Sequence, residues 1–199
     1  MRKLFRLMIA ALCMCSAVAA WAGDFEDGVA AYNKNDYAQA LKKLGNASEQ
    51  GNSGAQFYLG NMYEKGKGVA QDYAEAARLY RLAAMQGVSE AQYNLALLYF
   101  GGFGVLPDNS EAAKWFRLSV KKGSVEAQEV LSLLYFSGSG VVQDYVKAHM
   151  WANIASSSGG EKQLETRRQI SKLMTPQQIS EAQKMASECV KTEFKSCGD

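Results

Sequence analysis

Histidine is almost absent from this sequence, in which His149 is the only one among 199 residues. Metal motifs built on histidine need two or more of these ligands at a fixed spacing. No glycine loop is followed by the lysine and serine or threonine of a phosphate-binding loop. We therefore predict no metal site, no cofactor and no catalytic residue, and we assign His149 no role.

Cysteine is also scarce, with four residues in the chain. Cys13 and Cys15 lie in the N-terminal segment, which leaves Cys189 and Cys197 near the C-terminus. With no further cysteine pair and a single histidine, a zinc site is disfavoured. In an oxidising compartment an isolated even pair indicates one disulfide. The alternative is a pair of free thiols.

The N-terminal apolar run, residues 7–20, is about fourteen residues long, fewer than the roughly twenty that span a bilayer. Arg2, Lys3 and Arg6 precede the run, and Ala20-Trp21-Ala22 places small residues where a signal peptidase cleaves. We predict that residues 1–22 are a signal peptide cleaved after Ala22, and that the protein is periplasmic or secreted. The alternative is a membrane anchor, but we expect no stable membrane insertion after cleavage.

The chain carries no excess of basic charge. Removal of residues 1–22 takes away three basic residues and no acidic one, so the net charge moves from +2 to −1. A nucleic-acid surface requires a basic patch, and an anionic membrane attracts one as well, so neither partner is predicted. An apolar content of 48% with only two prolines is ample for a folded domain.

What the sequence has in abundance is a repeat of thirty-six residues. Glycine, alanine and aspartate recur at this spacing in Gly51, Gly87, Gly123 and Gly159; Ala55, Ala91 and Ala127; Asp72, Asp108 and Asp144; and Ala76, Ala112 and Ala148. A fixed period of this size is typical of stacked repeats. We predict a solenoid, a class whose members mostly bind other molecules.

Each unit divides into two amphipathic helices around a glycine loop. The first helix has apolar residues at i, i+4, i+7 and i+8, as in Ala55, Leu59, Met62 and Tyr63. Two loop glycines recur in every unit, which predicts positive φ at the helix end.

Polar residues mark where the predicted helices begin. Asp72, Asp108 and Asp144 are predicted to start the second helices, and Glu75 and Glu111 complete a capping box in the first two of them. Ser53 and Ser89 are predicted to cap first helices.

The pattern A-x-x-x-L-[GA]-x-x-Y-x-x-G-x-G-V-x-x-D-x-x-x-A, which runs from Ala55 to Ala76 and from Ala91 to Ala112, resembles the Sel-1-like repeat. The resemblance implies an all-α fold, a right-handed superhelical solenoid related to tetratricopeptide repeats. It covers three units, residues 53–88, 89–124 and 125–160. Residues 23–52 resemble a shorter tetratricopeptide unit at the N-terminal end.

Residues 161–199 depart from the repeat and are predicted to form two capping helices with a possible disulfide between Cys189 and Cys197. Leu164, Ile170, Leu173 and Met174 are assigned to the first helix. Thr175-Pro176-Gln177-Gln178 then has the sequence of a helix start. An apolar stripe follows in the second helix, made of Ile179, Ala182, Met185, Ala186, Cys189 and Val190.

An enzymatic alternative comes from relatives of this repeat family that bind or hydrolyse β-lactams. Ser119-Val120-Lys121-Lys122 matches the S-x-x-K signature of serine acyl enzymes, but its companion motifs are missing. Ser119 also aligns with Ala83 and Ala155, which indicates a small packing residue. We therefore favour a non-enzymatic adaptor or scaffold, as the resemblance implies, and a structural oligomer is a third hypothesis.

The partner of such a module would be a protein or peptide. In stacked helical hairpins the first helices line the concave face, so their outward positions are candidate contacts. These positions are Phe57, Asn61 and Glu64, then Tyr93, Leu97 and Phe100, then Glu129, Leu133 and Phe136. Packing between helices is the competing explanation, and Leu97 and Leu133 are predicted to be core residues. The predicted partner-binding set is therefore Phe57, Asn61, Glu64, Tyr93, Phe100, Glu129 and Phe136.

Overall fold

The computed structural model describes residues 23–157, 160–195 and residue 197. The predicted signal segment, residues 1–22, lies outside the described residues, as does Gly159 of the glycine series. All regular secondary structure in the described part is helical, which confirms the all-α prediction. The chain divides into two compact units, Met1–Gln86 and Gly87–Asp199.

The first unit contains four helices in its described part. Their bounds are 23–33 for α1, Tyr37–Glu49 for α2, Ser53–Lys65 for α3 and Tyr73–Met85 for α4. Leu44, Met62 and Leu79 are buried in the core that these helices share. The Lys43 ammonium lies 2.7 Å from the Asp24 carboxylate and 3.3 Å from that of Asp27, which joins α2 to α1.

The second unit contains six helices in its described part. They are α5 (Ser89–Gly101), α6 (Asn109–Val120), α7 (Val125–Ser137), α8 (Tyr145–Ser156), α9 (Glu161–Ser171) and α10 (Pro176–Lys191). Phe116, Leu131 and Met150 are fully buried in their common core. Helices α9 and α10 both pack on α8, so the two helices after the last repeat are an integral part of this unit.

The loop glycines adopt the backbone conformation that the sequence predicts. Gly138 ends α7 with φ of 73°, and Gly140 follows with φ of 72°. A Cβ atom on Gly140 would lie 2.2 Å from the backbone carbonyl carbon of Asn109, so the position requires glycine for space as well as for backbone conformation.

Aspartate begins each second helix, as predicted. The Asp144 backbone N–H donates to the Tyr135 carbonyl at 2.9 Å, and its side chain accepts from the backbone N–H of Lys147 at 3.0 Å. Asp72 likewise accepts from two backbone N–H groups at the start of α4. Because the same residue closes the loop and caps the helix, its position in the repeat is fixed.

The capping boxes predicted for the second helices are half wrong. The aspartates cap the helices as predicted, but the glutamates do not hydrogen-bond back to the N-cap residue. Glu75 does not return to the helix start but pairs with Arg78, with 2.6 Å between the charged groups. Glu111 pairs with Lys114 at 2.5 Å in the same way. A basic residue one turn further on therefore takes the carboxylate that would otherwise reach back to the N-cap.

The predicted serine caps of the first helices are also wrong. Asn52, one residue before Ser53, accepts from the backbone N–H of Ala55 at 2.9 Å. Val88 occupies the cap position of α5 and offers no side-chain acceptor, while Ser89 points its hydroxyl at another helix. The helices therefore start one residue earlier than predicted.

The end of the chain follows the prediction except at its helix boundaries. Thr175 and Gln178 form the predicted capping box at the start of α10. Helix α9 ends at Ser171, so Leu173 and Met174 lie in the connection and not in the helix. Ala182, Ala186 and Cys189 form the buried side of α10, whereas Val190 is exposed. The structure joins Cys189 and Cys197 in a disulfide.

Candidate interaction surface

In the first unit, the outward side chains of α3 make internal contacts. Asn61 accepts a hydrogen bond from the Tyr32 hydroxyl at 2.8 Å, and Glu64 accepts one from the Tyr80 hydroxyl at 2.5 Å. The Phe57 ring lies 6.0 Å from the Tyr80 ring of α4, measured between centroids. These three predicted contact residues therefore connect α3 to its own neighbours.

Tyr93 of α5 has a mixed environment. Its ring contacts the buried ring of Phe116, with 5.6 Å between centroids. Burial raises the pKa of the Tyr93 phenol, and the nearby carboxylates of Glu126 and Glu129 raise it further. The hydroxyl is therefore a neutral hydrogen-bond group, held at the edge of the core.

Two outward side chains of α7 also have internal partners. The Glu129 carboxylate pairs with the Lys162 ammonium at 2.5 Å and accepts from the Gln163 amide at 3.0 Å, so it is committed to α9. The hydrogen bond to Glu129 raises the pKa of Lys162. The Phe136 ring stands 5.7 Å from that of Tyr145 at the start of α8.

Three outward apolar side chains remain exposed, and we call them the exposed first-helix residues: Leu97 and Phe100 on α5, and Leu133 on α7. Their exposed fractions are 37%, 47% and 46% respectively. Leu97 and Phe100 are three residues apart, so they share one face of their helix. The prediction that Leu97 and Leu133 are core residues is wrong, since both side chains are exposed.

Ser119, the candidate nucleophile of the enzymatic alternative, is fully buried. Its hydroxyl donates to the Ser89 carbonyl at 3.0 Å, and the two serine hydroxyls are 3.2 Å apart. A nucleophile must reach its substrate and must have a base that activates it. The buried Ser119 hydroxyl meets neither requirement, because it donates its proton to a backbone carbonyl between α5 and α6.

His149 was assigned no role from the sequence, and the structure places it in a buried polar contact. Its side chain is 2% exposed, and Nε2 lies 3.0 Å from the Ser171 hydroxyl of α9. Burial lowers the pKa of the imidazole, and the Arg167 guanidinium lowers it further. The sequence gives no signal for this contact, because α9 lies outside the repeat.

Neither a metal-binding cluster nor a membrane span is found among the described residues. Within the described ranges no group of three or more histidine, cysteine, aspartate or glutamate side chains is placed to hold a metal ion. Among the same residues no helix combines the length and apolar character that a membrane span requires.

Helix pairs joined by a glycine loop and repeated at constant spacing define an α-helical repeat protein of the solenoid class. The model of the Sel1 repeat matches residues 53–88, 89–124 and 125–160. These matches cover more than half of the chain, which therefore belongs to the Sel1 repeat family. Proteins of this family are generally protein-interaction modules.

Solved structures of Sel1 repeat proteins resemble this fold. A Sel1 repeat protein from Oxalobacter formigenes is 26% identical with a TM-score of 0.64, and the match covers 84% of this chain and 76% of that one. A protective antigen of uropathogenic Escherichia coli strains is also 26% identical, with a TM-score of 0.60. That match covers 87% of this chain but 47% of the antigen, so the chain spans about half its length.

A shorter match is found with cysteine-rich protein B of Helicobacter pylori, which is 28% identical over 47% of this chain and 71% of that one, with a TM-score of 0.46. No curated protein matches the chain.

Proposed function

We propose that this chain is a non-enzymatic protein-interaction module whose partner contacts the exposed first-helix residues. The observation that carries the proposal is the position of Phe100, a large aromatic side chain that is 47% exposed on a first helix. Aromatic side chains at surfaces are the groups that most often anchor a protein partner. Family membership supports the same function, since Sel1 repeat proteins bind proteins.

The proposed contact set differs from the predicted one, because Leu97 and Leu133 are added and four predicted residues are left out. Tyr93 and Phe136 flank the exposed residues on the same two helices and are half-buried. Their rings add apolar area at the edge of the site. We leave Asn61, Glu64 and Glu129 outside the site because their polar groups already have internal partners, and Phe57 because α3 carries none of the exposed first-helix residues. The partner is a protein or peptide that presents an apolar side chain or helix face.

We also propose that the protein works outside the cytoplasm. The disulfide between Cys189 and Cys197 supports this location, because such bonds persist in oxidising compartments. Mass spectrometry of the protein recovered from cells should find a mature chain that begins at Gly23. A recovered protein that keeps Met1 and both thiols free would contradict the proposal.

Crosslinking in cells tests the interaction site directly. A photoreactive phenylalanine analogue placed at Phe100 is expected to give a covalent adduct with one polypeptide. The matched control is the same analogue at Leu118, an apolar residue of the second helix α6 that is 41% exposed and lies outside the site. Position 118 should give no such adduct.

A charge substitution then tests whether the adduct depends on the site. With the photoreactive group at position 133, the change Phe100→Asp should remove the adduct, because a carboxylate cannot be desolvated against an apolar partner. Circular dichroism should show unchanged helicity, since Phe100 is not part of the core. Equal adducts at positions 100 and 118, or an adduct that survives Phe100→Asp, would contradict the proposed site.

A further inference from the structure

Two cationic side chains in the second unit share one aromatic ring. The Arg117 guanidinium carbon lies 5.7 Å from the centroid of the Tyr135 ring, and the Lys147 ammonium lies 5.5 Å from it. Arg117 also donates a hydrogen bond to the Tyr135 hydroxyl at 2.8 Å. The three side chains come from α6, α7 and the start of α8, so packing of the repeat brings them together.

These groups line an open cavity of about 400 Å³, within the range of small ligand sites, roughly 300 to 1,000 Å³. Val141 and Val142 add an apolar wall, and Val142 is 87% exposed. Asp144 contributes one carboxylate, which accepts from the backbone N–H of Lys147 and caps α8. The cavity therefore combines two positive charges, one negative charge and an apolar side.

Both positive charges of the cavity lack an ion-pair partner in the described part of the chain, where neither Arg117 nor Lys147 pairs with a carboxylate. The Tyr135 hydroxyl accepts from Arg117, and no acceptor for its own proton is found in the described part of the chain. Three hydrogen-bond donors thus face a cavity in which an acceptor with negative charge would satisfy them.

Of the three residues only Lys147 is specific to one unit, since Arg81 and Tyr99 stand at the places of Arg117 and Tyr135 one repeat earlier. Glu75 and Glu111 occupy the place of Lys147 in the two preceding units, and each pairs with a basic residue one turn later in its helix. Lys147 reverses the charge, and the residue three positions after it is Met150. Since the fold is built equally well with glutamate at this position, packing does not explain the lysine.

We propose that this cavity binds an acidic segment of the partner protein, with a carboxylate held by Arg117 and Lys147 and a neighbouring apolar side chain against Val141 and Val142. A carboxylate accepts from a guanidinium, an ammonium and a phenol at once. The apolar wall selects a peptide over a free inorganic anion. This inference rests on the proposed interaction function and adds the chemistry of the partner at a second site.

Methyl NMR of the full chain with labelled valines tests the site. The probes are two blocked hexapeptides, one of alternating leucine and glutamate and one of alternating leucine and glutamine. The glutamate peptide should shift the Val141 and Val142 methyl resonances saturably, and the glutamine peptide should bind roughly tenfold more weakly or not at all. Equal binding of the two peptides, or no shift at these valines, would overturn the proposal.

Variants locate the effect. Lys147→Glu installs the residue of the other two units and should lower the affinity for the glutamate peptide by roughly tenfold or more. Lys184→Glu makes the same change of net charge on α10, at a side chain that is 78% exposed, and should leave the affinity unchanged. Arg117→Gln is the second test if Lys147→Glu alters the circular dichroism spectrum. Retained binding in a folded variant of either cavity residue would overturn the proposal.

Two further measurements distinguish peptide binding from simple anion binding and from failure of the proposed function. Sodium sulfate that shifts the same resonances as strongly as the glutamate peptide would show a simple anion site and overturn the peptide assignment. The crosslink at Phe100 reports on the proposed function alone. If the crosslink is lost but the peptide shifts are retained, the proposed function is contradicted. If the crosslink is retained but the peptide causes no shifts, this inference is contradicted.

Discussion

At the scale of single residues, the departure from the repeat at Ser119 is compensated by a nearby partner. Ser119 stands where the other units have Ala83 and Ala155, and a hydroxyl buried without a partner would be costly. Ser89 supplies that partner through its backbone carbonyl, at 3.0 Å. A residue that looks like a nucleophile by motif is thereby explained as half of a buried hydrogen-bonded pair.

The loop glycines allow a prediction that separates backbone strain from lack of space. Gly123 and Gly140 both have positive φ, of 91° and 72°. A Cβ atom would meet nothing within 4 Å at Gly123 but would clash with the Asn109 backbone at Gly140. We expect Gly123→Ala to lower the free energy of unfolding by about 1 kcal/mol, the cost of an unfavourable φ.

Gly140→Ala carries the same backbone cost and must also displace a backbone segment, so we expect a loss of about 2 kcal/mol or more. Urea unfolding followed by circular dichroism measures both variants. An equal loss in the two proteins would mean that the close approach to Asn109 contributes nothing to stability.

At the scale of elements, α8 and α9 are joined by buried polar groups. The Ser171 hydroxyl donates to the Arg167 carbonyl at 2.8 Å, so it must accept from His149 Nε2, which fixes the imidazole proton on that nitrogen. His149 Nδ1 has no hydrogen-bond partner among the described residues. Arg167 donates to the Asn153 amide oxygen at 3.0 Å and completes the contact between the two helices.

His149 predicts how stability depends on pH. Its pKa is lowered below the ordinary value of 6.5, chiefly by burial and then by Arg167. The unfolded chain therefore binds a proton more readily than the folded one. The stability that neutral His149 contributes is complete above about pH 6.5 and is lost as the pH falls below it, with a limiting slope near 1.4 kcal/mol per pH unit.

The measurement is the free energy of unfolding between pH 5 and pH 8 for the native chain and for His149→Gln. Glutamine can still donate to Ser171 but does not titrate, so its stability should fall less below pH 6.5. Parallel pH profiles in the two proteins would show that His149 titrates equally in the folded and unfolded chains.

At the scale of the whole molecule, the repeat decides how much can be read from the sequence. The helix pairs, the loop glycines and the aspartate caps were all predicted, because each recurs and each has one physical cause. The exposure of Leu97 and Leu133 was not predicted, since a leucine that recurs in two helices looks the same in the sequence whether it faces the core or a partner.

The features outside the repeat were predictable only in part. Thr175 and Gln178 gave a local start signal for α10, and that prediction is confirmed. Ala77 and Ala113 are buried at the same place in the repeat, so only the contact of His149 with Ser171 depends on α9, which lies outside the repeat. The cavity around Tyr135 could have been suspected from Lys147, whose charge is opposite to that of its counterparts in the repeat.

For the whole molecule, an activity assay distinguishes a binding module from an enzyme. The purified chain should not hydrolyse nitrocefin above the rate of buffer, because Ser119 is buried and its hydroxyl is engaged by Ser89. Ser119→Ala, which installs the residue of the neighbouring units, should leave that rate unchanged. It should lower the free energy of unfolding by about 1 kcal/mol through the lost hydrogen bond. A serine β-lactamase under the same conditions shows that the assay detects turnover, and a rate that disappears in Ser119→Ala would establish the enzymatic alternative instead.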